Sequence, residues 1–121
     1  MENSNLATII KIDHIVYKNM AYSAVISESL NEISMCDHDH CSFGHWYHGE
    51  GEAEFGHTKA YIAMKQPHKT IHTRVTENMK FVKEKSVFKN KEVIIKNFSE
   101  MEEASSELFR LLDIMVQEAH E

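Results

Sequence analysis

The sequence predicts an all-α fold. Apolar residues recur at three- and four-residue spacing in three long stretches, and the chain carries one proline and only four glycines. Three of those glycines, Gly44, Gly49 and Gly51, crowd into one short stretch. Helix breakers are thus concentrated in a single loop, which leaves long uninterrupted helices around it. A chain of 121 residues, 42% of them hydrophobic, fits one domain over residues 1–121 that buries one core.

The first helix is expected from about Leu6 to about Ile33. Ile10, Tyr17, Ala21 and Ala24 share a helical face with His14. Ile9, Ile12, Val16 and Met20 make a second apolar strip beside it. A helix apolar on two sides needs more cover than one neighbour provides, which points to a multi-helix bundle or a dimer. Residues 35–56 are polar and rich in His and Gly, and read as a loop with one short helix at His45–Glu50. Its aromatic residues, Phe43, Trp46 and Tyr47, argue against disorder, and a loop of this length in a compact domain usually serves a function.

The next helix is expected from about Thr58 to Lys85, with His68, Ile71, His72, Val75, Met79 and Val82 in one stripe. Pro67 suits a first turn or kinks a longer helix, so a bend or restart is expected there. Lys80 to Lys96 holds six lysines and reads as a connection. The last helix is expected from Ser99 to about Ala119. Ser99 and Glu102 have capping-box spacing, and Glu100, Glu102 and Glu103 suit the positive end of the helix dipole. Met101, Ala104, Leu108, Leu111, Leu112, Met115 and Ala119 supply the buried stripe.

Nineteen acidic against thirteen basic residues give a formal charge of −6. That disfavours nucleic acid and anionic membrane as general partners, since both need a basic face. No apolar run reaches membrane-spanning length, so no membrane insertion is expected. Two cysteines without a leader peptide fit a cytoplasmic protein with reduced thiols.

Nine histidines are many for this length. His68 and His72 stand four apart, so on a helix both imidazoles reach one ion. Cys41 lies 27 residues before His68, and His14 lies 27 before Cys41. His14 sits in mid-helix on an apolar face, where an unpartnered imidazole is costly. Three neutral imidazoles and one thiolate make a tetrahedral set typical of Zn2+. Such a set leaves no open position for the water of a hydrolytic zinc. Lys69, Thr70 and Ile71 between the histidines supply no glutamate base, so no enzyme is expected.

These residues resemble the chemoreceptor zinc-binding (CZB) family of bacterial signalling proteins. Its pattern is a histidine followed three residues later by an aromatic or large apolar residue, then Cys-x-apolar-Gly-x-aromatic, then His-x-x-x-His. The chain shows His14-Ile-Val-Tyr17, then Cys41-Ser-Phe43-Gly44-His45-Trp46, then His68-Lys-Thr-Ile-His72. It departs at Tyr17, where many members carry Trp. The stretches Lys11 to Lys18 and Gly49-Glu-Gly51 look most like the domains of cytosolic chemoreceptors.

The resemblance implies a homodimeric four-helix bundle with the His/Gly-rich loop and a short helix between the first and second long helices. It implies zinc on His14, Cys41, His68 and His72. It further implies regulation of a chemoreceptor or a diguanylate cyclase, through zinc availability or oxidation of the zinc-bound Cys41. Asp13 and Asp37 are candidates to orient a ligand imidazole. Cys36 is a candidate to resolve an oxidised Cys41 as a disulfide. The alternatives are a purely structural zinc site, a zinc buffer, and a hemerythrin-like di-iron protein. The last needs more histidines and bridging carboxylates, and has no use for a thiolate.

Overall fold

The computed structural model describes residues 3–30 and 41–119, with side chains from Leu6 onward. Among them it forms six helices and no strand: α1 (Asn3–Ser27), α2 (Ser42–His48), α3 (Glu50–Phe55), α4 (Lys59–Ala63), α5 (Lys65–Lys83) and α6 (Lys91–Ala119). Three of them, α1, α5 and α6, are long, and the short α4 packs on α6 beside them.

Glycine and proline divide the stretch between α1 and α5. Gly49 breaks what was expected as one short helix into α2 and α3, and Gly56 ends α3. Thr58 starts α4 by accepting the N–H of Tyr61 on its side-chain oxygen at 3.1 Å. Pro67 has no N–H for the carbonyl of Ala63, and α4 ends at that residue. The helix restarts as α5 at Lys65, which puts Pro67 in the first turn, where its missing donor costs nothing.

α1 and α5 stop the same way. Glu28 and Lys85 take positive φ of 55° and 56°. In each case the two N–H groups at the helix end turn back onto carbonyls of the last turn, Ser29 to Ala24 and Glu28 to Val25 at one end, Ser86 to Phe81 and Lys85 to Val82 at the other.

α6 begins eight residues before the expected start at Ser99, and the lysine-rich connection shrinks to residues 84–90. Ile94 and Asn97 extend the buried stripe of Met101, Leu108, Leu112 and Met115 by two turns, and α5 covers them. Burial of that extra face outweighs the capping signal. Ser99 is an exposed residue inside the helix, and Glu102 faces α1 instead of a helix start.

α5 and α6 run antiparallel, joined by Asn78 Nδ2 donating to the Ile94 carbonyl at 3.2 Å and Asn97 Nδ2 donating to Asn78 Oδ1 at 2.9 Å. α1 lies antiparallel to α6, since Lys11 pairs with Asp113 and Lys18 with Glu102. Ala7, Ile10, His14, Ala21 and Ala24 form its buried face. The second apolar strip is not beside that face but behind it: at the helical repeat Ile12 and Val16 point about 160° away from His14. Ile12 stays 55% exposed and Val16 48%.

Candidate metal centre

The centre lies where α1, α2 and α5 meet. α5 presents His68 and His72 from successive turns, with ring centroids 4.8 Å apart. α1 brings His14 against both, at 5.2 Å from His68 and 6.0 Å from His72. One nitrogen from each ring falls within 4.8 Å of the others, and all three residues are buried. The group contains no carboxylate, so the described residues offer no bridge for a di-iron site.

Cys41 arrives from α2. It is the N-cap of that helix, and its Sγ accepts the N–H of Gly44 at 3.3 Å. The same sulfur stands 3.3 Å from Nε2 of His68. Donors around a tetrahedral zinc are about 3.3–3.6 Å apart, given Zn–N and Zn–S bond lengths. The Cys41–His68 spacing matches that; the three imidazole nitrogens, within 4.8 Å of one another, would have to close further around a shared ion, and the Cys41 sulfur meets this group through His68.

His14 decides whether a cation fits. It is 2% exposed, and neither ring nitrogen has a hydrogen-bond partner. Leaving a buried polar group in that state is costly unless something supplies the missing interaction. Burial first, then the neighbouring His72 and Lys18, push its pKa down to about 3. The ring is therefore neutral at neutral pH, with a lone pair for a metal. The residues present fit a soft-to-borderline cation such as zinc.

Aromatic packing frames the rings. Phe43 lies 4.3 Å from His68 and 5.4 Å from His14, and Tyr17 lies 4.7 Å from His72. Phe43 in turn stacks on Tyr47 and touches Trp46, so the fold of α2 fixes the wall of the site.

A family model, the chemoreceptor zinc-binding domain, matches residues 14–79, more than half of the chain. The chain belongs to the CZB family. No curated protein and no solved structure matches it. The CZB match begins on His14 and spans Cys41, His68 and His72. CZB domains are zinc-binding regulatory domains found in chemoreceptors and other signalling proteins, not a catalytic family.

Asp13 is exposed and does not reach His14, whose ring nitrogens donate no hydrogen bond to it. It lines a shallow cleft of about 240 Å³ with Ile9, Ser42, Phe43 and Trp46. Cys36 and Asp37 lie outside the described residues. His45 and His48 are exposed on α2. Two contributions escape a sequence-level reading. The Gly44 N–H on the Cys41 sulfur escapes it because α2 starts at Ser42, three residues before the short helix expected at His45, which makes Cys41 its N-cap. The Lys18–Glu102 contact beside His14 carries no sequence signal, because its partners are 84 residues apart. No helix of the described residues is long and apolar enough to cross a membrane.

Proposed function

We propose that residues 1–121 act as one zinc-binding regulatory domain, with His14, Cys41, His68 and His72 holding one ion and Cys41 giving the response. The supporting observation is that two buried α5 imidazoles, the unpartnered His14 ring and the Cys41 sulfur converge. Four protein donors complete a tetrahedral shell, which suits regulation rather than hydrolysis. When bound, zinc cross-links the three helices and favours the thiolate form of Cys41.

A two-electron oxidant such as hypochlorous acid reacts with that thiolate. The sulfur takes the oxidant's oxygen and chloride leaves, so RS− and HOCl become RSOH and Cl−. The sulfur then lacks the negative charge that makes it a good ligand. Because Cys41 also caps α2, the same change weakens the start of that helix. His14 and α1 can then shift against α5, a two-state helix displacement of the kind that signalling domains use. The partners proposed are a second copy of the chain, covering the exposed back strip of α1, and a chemoreceptor or diguanylate cyclase downstream.

The test is zinc release into a chromophoric chelator after one equivalent of hypochlorous acid. Wild type is expected to release its zinc at least tenfold faster than Cys41→Ala, the thiolate being the reactive group. Equal rates would contradict a Cys41 response and leave a structural or buffering zinc.

A further inference from the structure

The buried face of α1 has two flanks. On the α5 side Tyr17 packs against His72. On the other side lie Lys11, Lys18 and Tyr22, turned about 40–80° from His14 at the helical repeat. All three reach α6. Lys11 Nζ stands 2.6 Å from Asp113 Oδ1, and Lys18 Nζ stands 2.7 Å from Glu102 Oε1. The Tyr22 hydroxyl donates to Glu102 Oε2 at 2.7 Å, and its ring stacks 4.2 Å from Phe98. The two ammonium groups also lie over the ring of Phe109.

Glu102 is the hub of this flank. Both its oxygens are taken, by groups one and two turns beyond His14 on α1. Exposed ion pairs contribute little, and Asp113 keeps 65% of its side chain exposed. In the other pair Lys18 keeps 13% and Glu102 itself 45%, so Glu102 holds the better shielded of the two contacts and the doubly bonded one, of the charge-assisted kind.

We propose that Glu102 is a positioning residue for the metal centre: through Lys18 and Tyr22 it fixes the rotation and axial place of α1, and so holds His14 against His68 and His72. This rests on the zinc assignment above. A buried imidazole with neither nitrogen satisfied does not favour its own placement. Contacts elsewhere on α1 must hold it there before an ion arrives. Holding it in advance removes an ordering cost from zinc binding, which appears as affinity and as slow release.

The test uses the full chain and zinc alone, with affinity by chelator competition, release rate into excess chelator, and thermal stability of the metal-free protein. Glu102→Gln keeps the shape but removes the charge. It is expected to weaken zinc about tenfold, at the low end of effects for groups that support metal ligands, mostly through faster release. Tyr22→Phe, which loses one hydrogen bond and keeps the stack, is expected to weaken it about threefold by losing a single neutral donor. It serves if Glu102→Gln does not fold. The charge exchange Lys18→Glu with Glu102→Lys is expected to restore most of the affinity. Glu107→Gln, which removes an exposed pair with Arg110 inside α6, is expected to leave zinc affinity and release unchanged. Zinc affinity within twofold of wild type in both Glu102→Gln and Tyr22→Phe would overturn the proposal, as would a charge exchange no better than Glu102→Gln. A wild-type chain that takes up no zinc would instead overturn the zinc assignment itself.

Discussion

Tyr47 and Tyr61 fasten each other reciprocally: the hydroxyl of Tyr47 donates to the backbone carbonyl of Tyr61 at 2.7 Å, and that of Tyr61 donates to the carbonyl of Tyr47 at 2.6 Å. Their rings stack with centroids 4.1 Å apart. The pair ties α2, the helix that Cys41 caps, to α4. Tyr61→Phe keeps the stack and strips a donor from the Tyr47 carbonyl. It should lower stability by about 1–2 kcal/mol, measured by denaturant unfolding.

The same pair gives an alkaline signature. Burial first, then Tyr61, pushes the Tyr47 pKa up to about 12. An unfolded tyrosine titrates near pH 10 (about the free value). Between those values the unfolded chain loses a proton that the folded chain keeps. The contribution is therefore fully present below about pH 10 and is lost as pH rises toward about 12. The unfolding midpoint should fall across that window, and Tyr47→Phe should make the fall shallower.

Lys85 holds a left-handed backbone conformation that an L side chain disfavours. Lys85→Gly should raise stability by about 1 kcal/mol, because glycine adopts that conformation without the Cβ clash. Lys85→Val should lower it. Thermal unfolding of the three proteins checks the order.

Asn78 and Asn97 are both buried, and Asn97 satisfies Asn78 Oδ1 between α5 and α6. Asn97→Leu alone leaves that oxygen without its donor and should cost about 1–3 kcal/mol. Replacing both by apolar residues should recover much of the loss, since no polar group is then stranded. A double-mutant cycle in denaturant separates these outcomes.

Gly51 lies under Trp46. A Cβ there would stand 2.9 Å from the Trp46 carbonyl oxygen and 3.1 Å from its ring. Gly51→Ala must therefore shift the Trp46 backbone, and the indole with it. Trp46 is the single tryptophan of the chain, so its emission spectrum should shift. An unchanged spectrum would contradict the contact.

Periodicity made some of this legible in advance. His68, Ile71, His72, Val75, Met79 and Val82 are all buried on α5, because burial of one stripe is what the spacing encodes. His68 and His72 were legible as a pair because a four-residue spacing on a helix is local, whereas His14 and Cys41, each 27 residues from the next candidate, were marked by residue type and the family pattern rather than by any periodicity. What failed was local signal overruled by tertiary packing. Ser99 and Glu102 have capping spacing, yet Ile94 and Asn97 gain burial against α5 and carry the helix past them. Partners distant in sequence, such as Lys18 with Glu102 or Tyr47 with Tyr61, leave no periodic trace. The back strip of α1 was visible as apolar, but its distance from the His14 face follows only from the angle per residue.

Zinc-edge X-ray absorption on the zinc-loaded full chain, with metal analysis of the same sample, tests the central claim most directly. One zinc per chain is expected, with three nitrogens at about 2.0–2.1 Å and one sulfur at about 2.3 Å. The sulfur shell should vanish in Cys41→Ser. A loaded wild-type chain whose zinc shell contains no sulfur, or one that holds no zinc, would contradict the account.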